Sequence, residues 1–301
     1  MATAATPATS ERFRLGEGPV WDGLRDRLLW VDIEDGAVLE GALDGGAITV
    51  TDRIGFDTMV GAVTVAADGT LLVAAQEHLI VQHPDGTRED GPRVVPAGEA
   101  RRCNDGKPDP AGRFLVGTLS LGGPSEREVL DRLEADGRLT VLDDDLALSN
   151  GLAWSADGRR MFSVDTLRRT VSVRGYDVDS GAVGQRRVHL RLEGGFPDGI
   201  AMDAAGHLWV AVWGGGEVRR YAPDGTLVDR VATGAPHTTS VAFAGEDLRT
   251  LVVTTATSEL GDEQLRAHPD SGRVLTVPVD APGLPVAPWH GPAGSAAPPV
   301  A

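Results

Sequence analysis

"LDDDLALSNGLAWSADGRRMFSVD" runs from Leu142 to Asp165 and holds two turn signals, Asn150-Gly151 and Ser155-Ala156-Asp157-Gly158. An Asn-Gly pair between apolar runs ordinarily closes a tight hairpin. The second signal, with apolar residues on both sides, has the same claim. If Ser155–Gly158 is the hairpin, Asn150 needs another explanation. Repetition along the chain supplies it.

The stretch "GLAWSADGRRMFSVDT" from Gly151 recurs in form five more times. It returns as "GPVWDGLRDRLLWVDI" from Gly18, "GAVTVAADGTLLVAAQ" from Gly61 and "DGKPDPAGRFLVGTLS" from Asp105. It returns again as "GIAMDAAGHLWVAVWG" from Gly199 and "SVAFAGEDLRTLVVTT" from Ser240. Each copy is a short apolar strand, a polar turn and a second apolar strand. The copies start roughly 40 to 50 residues apart, which is the spacing of propeller blades. Further turn-flanked strands such as "LIVQHPDGTRED" and "VRRYAPDGTLVDR" lie between them and complete blades of about four strands. The expected fold is all-β, a six-bladed β-propeller with a metal site at one mouth of its central channel. A single domain is expected over residues 11–285. Residues 1–10 are expected to be a disordered tail and the Pro/Ala-rich residues 286–301 a second tail.

In this frame the first strand of each hairpin lines the channel, and the residue before it sits on a loop at one mouth. Those positions hold Glu17, Arg102 and Asn104, Asn150, and Asp198. Asp68-Gly69, Asp85-Gly86, Asp157-Gly158 and Asp224-Gly225 fall between strands and read as plain turns. Asn150 and Asp198 do not share that phase. Taken singly, each polar–Gly pair is an ordinary turn. Their recurrence at one repeat position instead converges two carboxylates and amide oxygens on an axis, which suits a hard divalent cation with an open coordination position.

Composition narrows the partners. The chain has 301 residues, 41% hydrophobic, with 39 Gly, 19 Pro and a formal net charge of −16. Such an acidic surface argues against nucleic acid and anionic membranes. The start "MATAATPATSERF" lacks a basic and then apolar leader pattern, so no signal peptide is expected. No apolar run reaches about 18 residues, so no membrane span is expected. One cysteine, Cys103, excludes an internal disulfide and fits a cytoplasmic location. Lysine occurs once, at Lys107, which reads as coding bias.

The matching stretches "GEGPVWD", "RRCNDGKPDPAGRFLVGT", "LSNGLAWSADGRRMFSVDT" and "FPDGIAMDAAGHLWVAVWGGGEVRRYAPDG" resemble the SMP-30/gluconolactonase/luciferin-regenerating-enzyme family, the regucalcin-like sugar lactonases. "TSVAFAGEDLRTLVVTTAT" extends the likeness, which covers roughly residues 12–280. The resemblance implies a propeller with one divalent cation held by Glu17, Asn150 and Asp198. It implies that Asp198 also serves as general base, and that Arg102 and Asn104 bind substrate. Ca2+ is the expected ion, with Zn2+, Mn2+, Mg2+ and Fe2+ as alternatives. The implied reaction is hydrolysis of a sugar lactone to its aldonic acid by a monomer or small homo-oligomer. The alternatives are a calcium-binding protein without turnover and an aryl-ester or organophosphate hydrolase. A propeller scaffold would not need acids at matching mouth positions. No Gly-x-Ser-x-Gly elbow is present.

Two departures leave the sugar open. No acid directly follows Thr118-Leu119, and His237-Thr238-Thr239-Ser240 stands where many relatives carry Arg-Pro-Thr-Ser. His78, His83 and His207 lack ligand spacing and read as structural, while His237 precedes blade six near the mouth. Cys103 reads as a buried thiol, Lys107 and Asp109 as salt-bridged support, and Asp105 as a neighbour of the ligands. Trp154 and Trp209 read as blade packing, and Trp213 as a wall of the pocket. Asp57–Val63 reads as a lid. Pro124–Gly137 carries the best helical pattern, but comparison with the family makes it strand and loop.

Overall fold

The computed structural model describes residues 3–291. Within them, six antiparallel sheets of four core strands stand around one axis. Blade one is Gly16–Asp22, Arg27–Asp32, Ala37–Asp44 and Ala47–Gly55. Blade two is Val60–Val65, Leu71–Ala75, His78–Gln82 and Arg88–Arg93. Blade three is Arg101–Pro108, Phe114–Ser120, Glu128–Leu133 and Leu139–Leu146. Blade four is Ser149–Trp154, Arg160–Asp165, Thr170–Gly175 and Arg187–Arg191. Blade five is Phe196–Met202, Leu208–Trp213, Glu217–Tyr221 and Leu227–Ala232. Blade six is Thr238–Ala244, Thr250–Thr255, Leu275–Pro278 and, from the far end of the chain, Thr6–Pro7.

Burial follows from this arrangement. Second strands such as Leu71–Ala75 and Leu208–Trp213 are almost wholly buried because both faces meet a neighbouring blade, and so they read as unbroken apolar runs. Outer strands such as Ala47–Gly55 lie mostly in solvent. The core divides into apolar clusters, one in each seam between blades. Val31 and Val38 of blade one meet Val63 and Val73 of blade two. Trp30 and Leu39 of blade one meet Val252 of blade six across the ring closure.

The turn question resolves as expected. Ser155–Gly158 closes the hairpin, with the Gly158 amide donating to the Ser155 carbonyl and Asp157 Oδ1 accepting from Ser155 Oγ and the Arg159 amide. Asn150 lies on the inner strand facing the channel. The stretch Pro124–Gly137 yields the strand Glu128–Leu133. A short helix, Asp262–Ala267, has no buried residue and hence no amphipathic pattern to announce it.

Both chain ends depart from the expected tails. Thr3–Ala4 pairs in parallel with the outer strand of blade five, and Thr6–Pro7 pairs antiparallel with Leu275–Pro278. The Ala8 amide donates to Val274 and its carbonyl accepts from Ile48, so this residue bridges blades six and one. Residues 3–10 therefore close the ring. At the other end, residues 284–290 form a strap across the far mouth of the channel. The Leu284 amide donates to Met202, that of Trp289 to Val65 and that of His290 to Gly112. Trp289 is buried in the seam of blades two and three. The rest of the expected C-terminal tail, 292–301, lies outside the described residues.

Deleting residues 1–8 strips blade six of its outer strand and its link to blade one. The melting temperature is expected to fall by about 5 °C or more, the size of a loss of a few kcal/mol in a large domain. Scanning calorimetry of the shortened chain checks this.

Candidate active site

The inner strands contact one another in sequence around the axis, blade six against blade one closing the circle. Each is interrupted near its start by a register shift, as at Glu17/Val20, Cys103/Gly106, Asn150/Leu152 and Pro197/Ile200. A bulge bends a strand and re-aims a side chain. Here it turns the preceding polar group to the channel, and that group takes up the next backbone amide. Glu17 Oε2 accepts from Gly18 at 2.8 Å, Asp105 Oδ1 from Gly106 at 2.8 Å and Asn150 Oδ1 from Gly151 at 3.1 Å. The candidate residues thus sit inside strands at bulges, not on loops before them.

Glycine after the polar residue has a packing reason. A Cβ on Gly151 would stand 2.4 Å from the Asp198 carbonyl oxygen, and one on Gly199 would stand 1.9 Å from Ser240 Oγ. The inner strands touch at these points, which brings their mouth side chains within reach of each other.

The structure brings Glu17, Arg102, Asn104, Asn150 and Asp198 together as lining of one cavity of about 520 Å3. All five are at most 7% exposed. Asn150 Nδ2 donates to Asp198 Oδ1 and, at 3.2 Å, to Thr166 Oγ1. Thr166 Oγ1 donates to the Pro197 carbonyl at 2.9 Å, tying the two strands. Asn104 Nδ2 donates to the Ser149 carbonyl at 2.9 Å. Arg102 Nη1 donates to Asn104 Oδ1 at 2.7 Å and to the Cys103 carbonyl at 2.9 Å. The mouth ends of two inner strands are pinned from below by acids. Asp32 accepts the Arg14 and Leu15 amides, and Asp165 accepts those of Ala147 and Leu148.

The acids crowd one another. Burial, then Asp105, pushes Glu17 up to about 8 against the weaker pull of Gly18, Arg102 and Lys107. From a starting value of 4.5, that is of order 5 kcal/mol against the charged form. Burial, then Glu17 and Asp105, raises Asp198 well above the usual carboxylate range. Burial also raises Asp105. Arg102 is brought down to about 10 by burial and stays charged at neutral pH.

This donor set fits a hard divalent cation. Glu17 and Asp198 each have one oxygen engaged, by Gly18 and Asn150 respectively, which leaves the other oxygen as a donor. Asn150 and Asn104 add neutral amide oxygens, and a dication offsets the repulsion that raises both acids. Among the described residues no group of three or more His, Cys, Asp or Glu is placed to hold a metal ion. A site here would use two acids and amides.

Other side chains find simpler roles. His78, His83 and His207 face Asp90, Glu89 and Asp203 away from the cavity. His237 stacks on Trp213 with ring centroids 3.9 Å apart, and its Nδ1 lies 2.9 Å from the Ser258 carbonyl oxygen. Trp213 lines the cavity, as does Met59 of the stretch read as a lid. Cys103 is fully buried, and burial pushes its thiol up to about 12. Asp109 is salt-bridged to Arg113 at 2.7 Å. Lys107 is not salt-bridged: its Nζ donates to the carbonyls of Leu152 and Ile200, both at 2.9 Å.

Sequence reasoning missed Thr166, Glu34, Ser258 and Glu259, all lining the cavity. Glu34 accepts from Ser258 Oγ and pairs with Arg14 at 2.8 Å. Glu259 holds a left-handed backbone, φ 63°, uncommon for a residue with a side chain. Thr166 had a usable signal, following the second strand of the "SNGLAW" repeat.

A six-bladed propeller with buried oxygen donors meeting at one mouth is the class that fold and site define. Residues 15–257 match the family model described as SMP-30/Gluconolactonase/LRE-like region, and the chain belongs to that family. It is 38% identical over 245 residues to pentonolactonase XacC of Haloferax volcanii, covering 81% of this chain and 82% of that one. It is 34% identical to 6-deoxy-6-sulfogluconolactonase of Pseudomonas putida, covering 89% and 92%. Its fold is similar to that of a calcium-binding protein, regucalcin, from Agrobacterium tumefaciens, with a TM-score of 0.89, 28% identity and coverage of 96% and 99%.

Gly151→Ala removes no donor, yet it drives a methyl into the Asp198 backbone. Overpacking of this kind costs about 1–3 kcal/mol. Lower thermal stability is expected, read by scanning calorimetry.

Proposed function

We propose that this protein is a divalent-cation-dependent lactonase that opens a sugar lactone to its aldonic acid. The observation that carries the reading is the convergence of Glu17, Asn150 and Asp198 beside Asn104 and Arg102 on one cavity. That volume suits a monosaccharide-sized ligand. Glu17, Asn150 and Asp198 hold the cation. Their all-oxygen chemistry favours Ca2+, with Mg2+ and Mn2+ next; the likeness to lactonases and to a calcium-binding regucalcin supports the same reading. When bound, the ion supplies Lewis-acid polarisation of the lactone carbonyl.

The chain's own groups do the rest. Arg102 and Asn104 orient ring hydroxyls, and their hydrogen bonds go unmade with a wrong epimer. Asp198, which also holds the cation, takes the proton of the attacking water. Water adds to C1, the ring C1–O bond breaks and the proton passes to the ring oxygen, so lactone plus water gives the aldonic acid. No covalent enzyme intermediate is needed. No helix among the described residues is long and apolar enough to cross a membrane, and the one cysteine is free and buried. Both suit a cytoplasmic enzyme that meets its sugar in solution, as a monomer or small homo-oligomer.

The cavity walls include Leu15, Leu119, Leu121, Leu148 and Phe196. This apolar share favours a second reading, hydrolysis of aryl esters, which phenyl acetate tests directly.

Asp198→Asn keeps the shape and loses the base. A fall in lactone turnover of about 10²–10⁴-fold is expected, with the fold intact by circular dichroism. Near-normal rates would remove Asp198 from the mechanism. Chelation is expected to abolish turnover, and re-addition of Ca2+, Mg2+, Mn2+, Zn2+ or Fe2+ singly identifies the ion. Glu17 and Asp198 must both lose their protons to bind the ion, so affinity should rise with pH from the acid side through about 8. Calorimetric titration at several pH values shows the sign. Glu259 on the cavity wall repels anions, Glu34 beside it being paired with Arg14, so neutral glucono-, galactono-, xylono- and arabinono-lactones should outrun 6-phosphogluconolactone. Equal kcat/KM would contradict this.

A further inference from the structure

Lys107 is the only lysine in the chain, and its position in the channel is specific. It stands on the inner strand of blade three, three residues beyond Asn104. Its Nζ reaches the carbonyls of Leu152 and Ile200 on the inner strands of blades four and five. Those residues lie two beyond Asn150 and Asp198 across the register shifts, so the amine sits at most about 7 Å along the strands from the oxygen donors. Among the described residues it makes no salt bridge. Neutral carbonyls fix it in place, and its charge is not consumed by a contact partner. Burial pulls the amine's pKa down, and the charges that face it, Asp105 and Glu17, oppose that pull and favour the ammonium. Arg102 is the other cation, acting on Glu17 and Asp198.

With the acids ionised, the channel holds the three carboxylates of Glu17, Asp105 and Asp198 against Arg102 and Lys107. That is a net charge of −1, which a dication turns to +1. Without Lys107 the loaded site would be neutral. The difference falls where the lactone carbonyl becomes an oxyanion, in a buried channel where charge is poorly screened.

We infer that Lys107 is a built-in counter-charge beneath the cation site, one that weakens cation binding and leaves the loaded site net positive for the oxyanion of the opening lactone. The catalytic half of this rests on the lactonase reading, while the binding half does not. Lys107 touches neither substrate nor ion and acts through the field at the site.

The test is Lys107→Gln, which keeps a donor for the two carbonyls and removes the charge. Ca2+ affinity by calorimetry is expected to tighten about tenfold while kcat on the preferred lactone falls about tenfold, magnitudes set by one charge at this range. A purely structural role predicts the reverse for affinity, because a loosened channel binds cations less well. Unchanged or weaker Ca2+ binding by a folded variant would overturn the inference. The wild-type protein offers a second measurement that needs no substitution. Lysine-selective 15N labelling gives one side-chain signal, expected to be an ammonium both with and without Ca2+. A neutral amine in either state would overturn the inference. Failure of the wild type to open any lactone would refute the lactonase reading, whereas the sign of the affinity change decides the counter-charge independently.

Discussion

The approach of the inner strands to one another sets the rest of this molecule. At Gly61 a Cβ would stand 2.5 Å from the Asn104 carbonyl oxygen, and at Gly151 and Gly199 the room is as small or smaller. Side chains are therefore barred where these blades touch, and the residues just before Gly151 and Gly199, Asn150 and Asp198, meet each other beside Glu17. Bulges at the same level turn those side chains to the axis. Desolvation and like-charge crowding follow, and with them the upward shifts of Glu17 and Asp198. The placement of the acids here is a consequence of backbone packing.

The ring was legible because it repeats. Six copies of one hairpin phrase gave blade number, channel strand and mouth position together, and Asn150 stood out because Ser155–Gly158 already filled the hairpin phase. What the repeat does not touch was not legible. Thr6–Pro7 completes blade six from some 270 residues away, and a two-residue strand has no alternation to read. The strap at residues 284–290 looks like a Pro/Ala tail because its hold comes from three backbone amides and one tryptophan, Trp289. Glu34 and Glu259 reach the cavity from turns outside the repeat phase. The placement of Glu17 and Asn150 inside strands was missed because a bulge leaves no mark in composition beyond the glycine itself.

Arginine and lysine divide the positive charge by geometry. Arg102 lies in the cavity wall, and one of its nitrogens already bridges Asn104 and Cys103. Its remaining donors form a flat fork suited to hydroxyls. Lys107 is a compact point charge on a thin stem, able to enter a channel that Leu152 and Ile200 leave narrow. The two cations thus stand at different levels of the channel, Arg102 in the cavity wall and Lys107 deeper, between the strands of blades four and five.

The acids show the complementary rule. Asp203 and Asp198 are both closed off from solvent, yet the carboxyl of Asp203, which lies at a shallower place in its blade, is held below the usual range. Burial opposes that shift, but the His207 amide, the Trp209 indole and the Arg220 guanidinium together outweigh it. Asp198 has the Asn150 side chain as its hydrogen-bond donor and two acids as neighbours. Exclusion of solvent alone therefore does not set which way a carboxyl shifts. Asp198 is the deeper of the two and has acids for neighbours, and the fold also commits fewer donors to it. Asp203 is saturated and serves its blade, whereas Asp198 is left short of donors where a cation and a water can supply what the chain withholds.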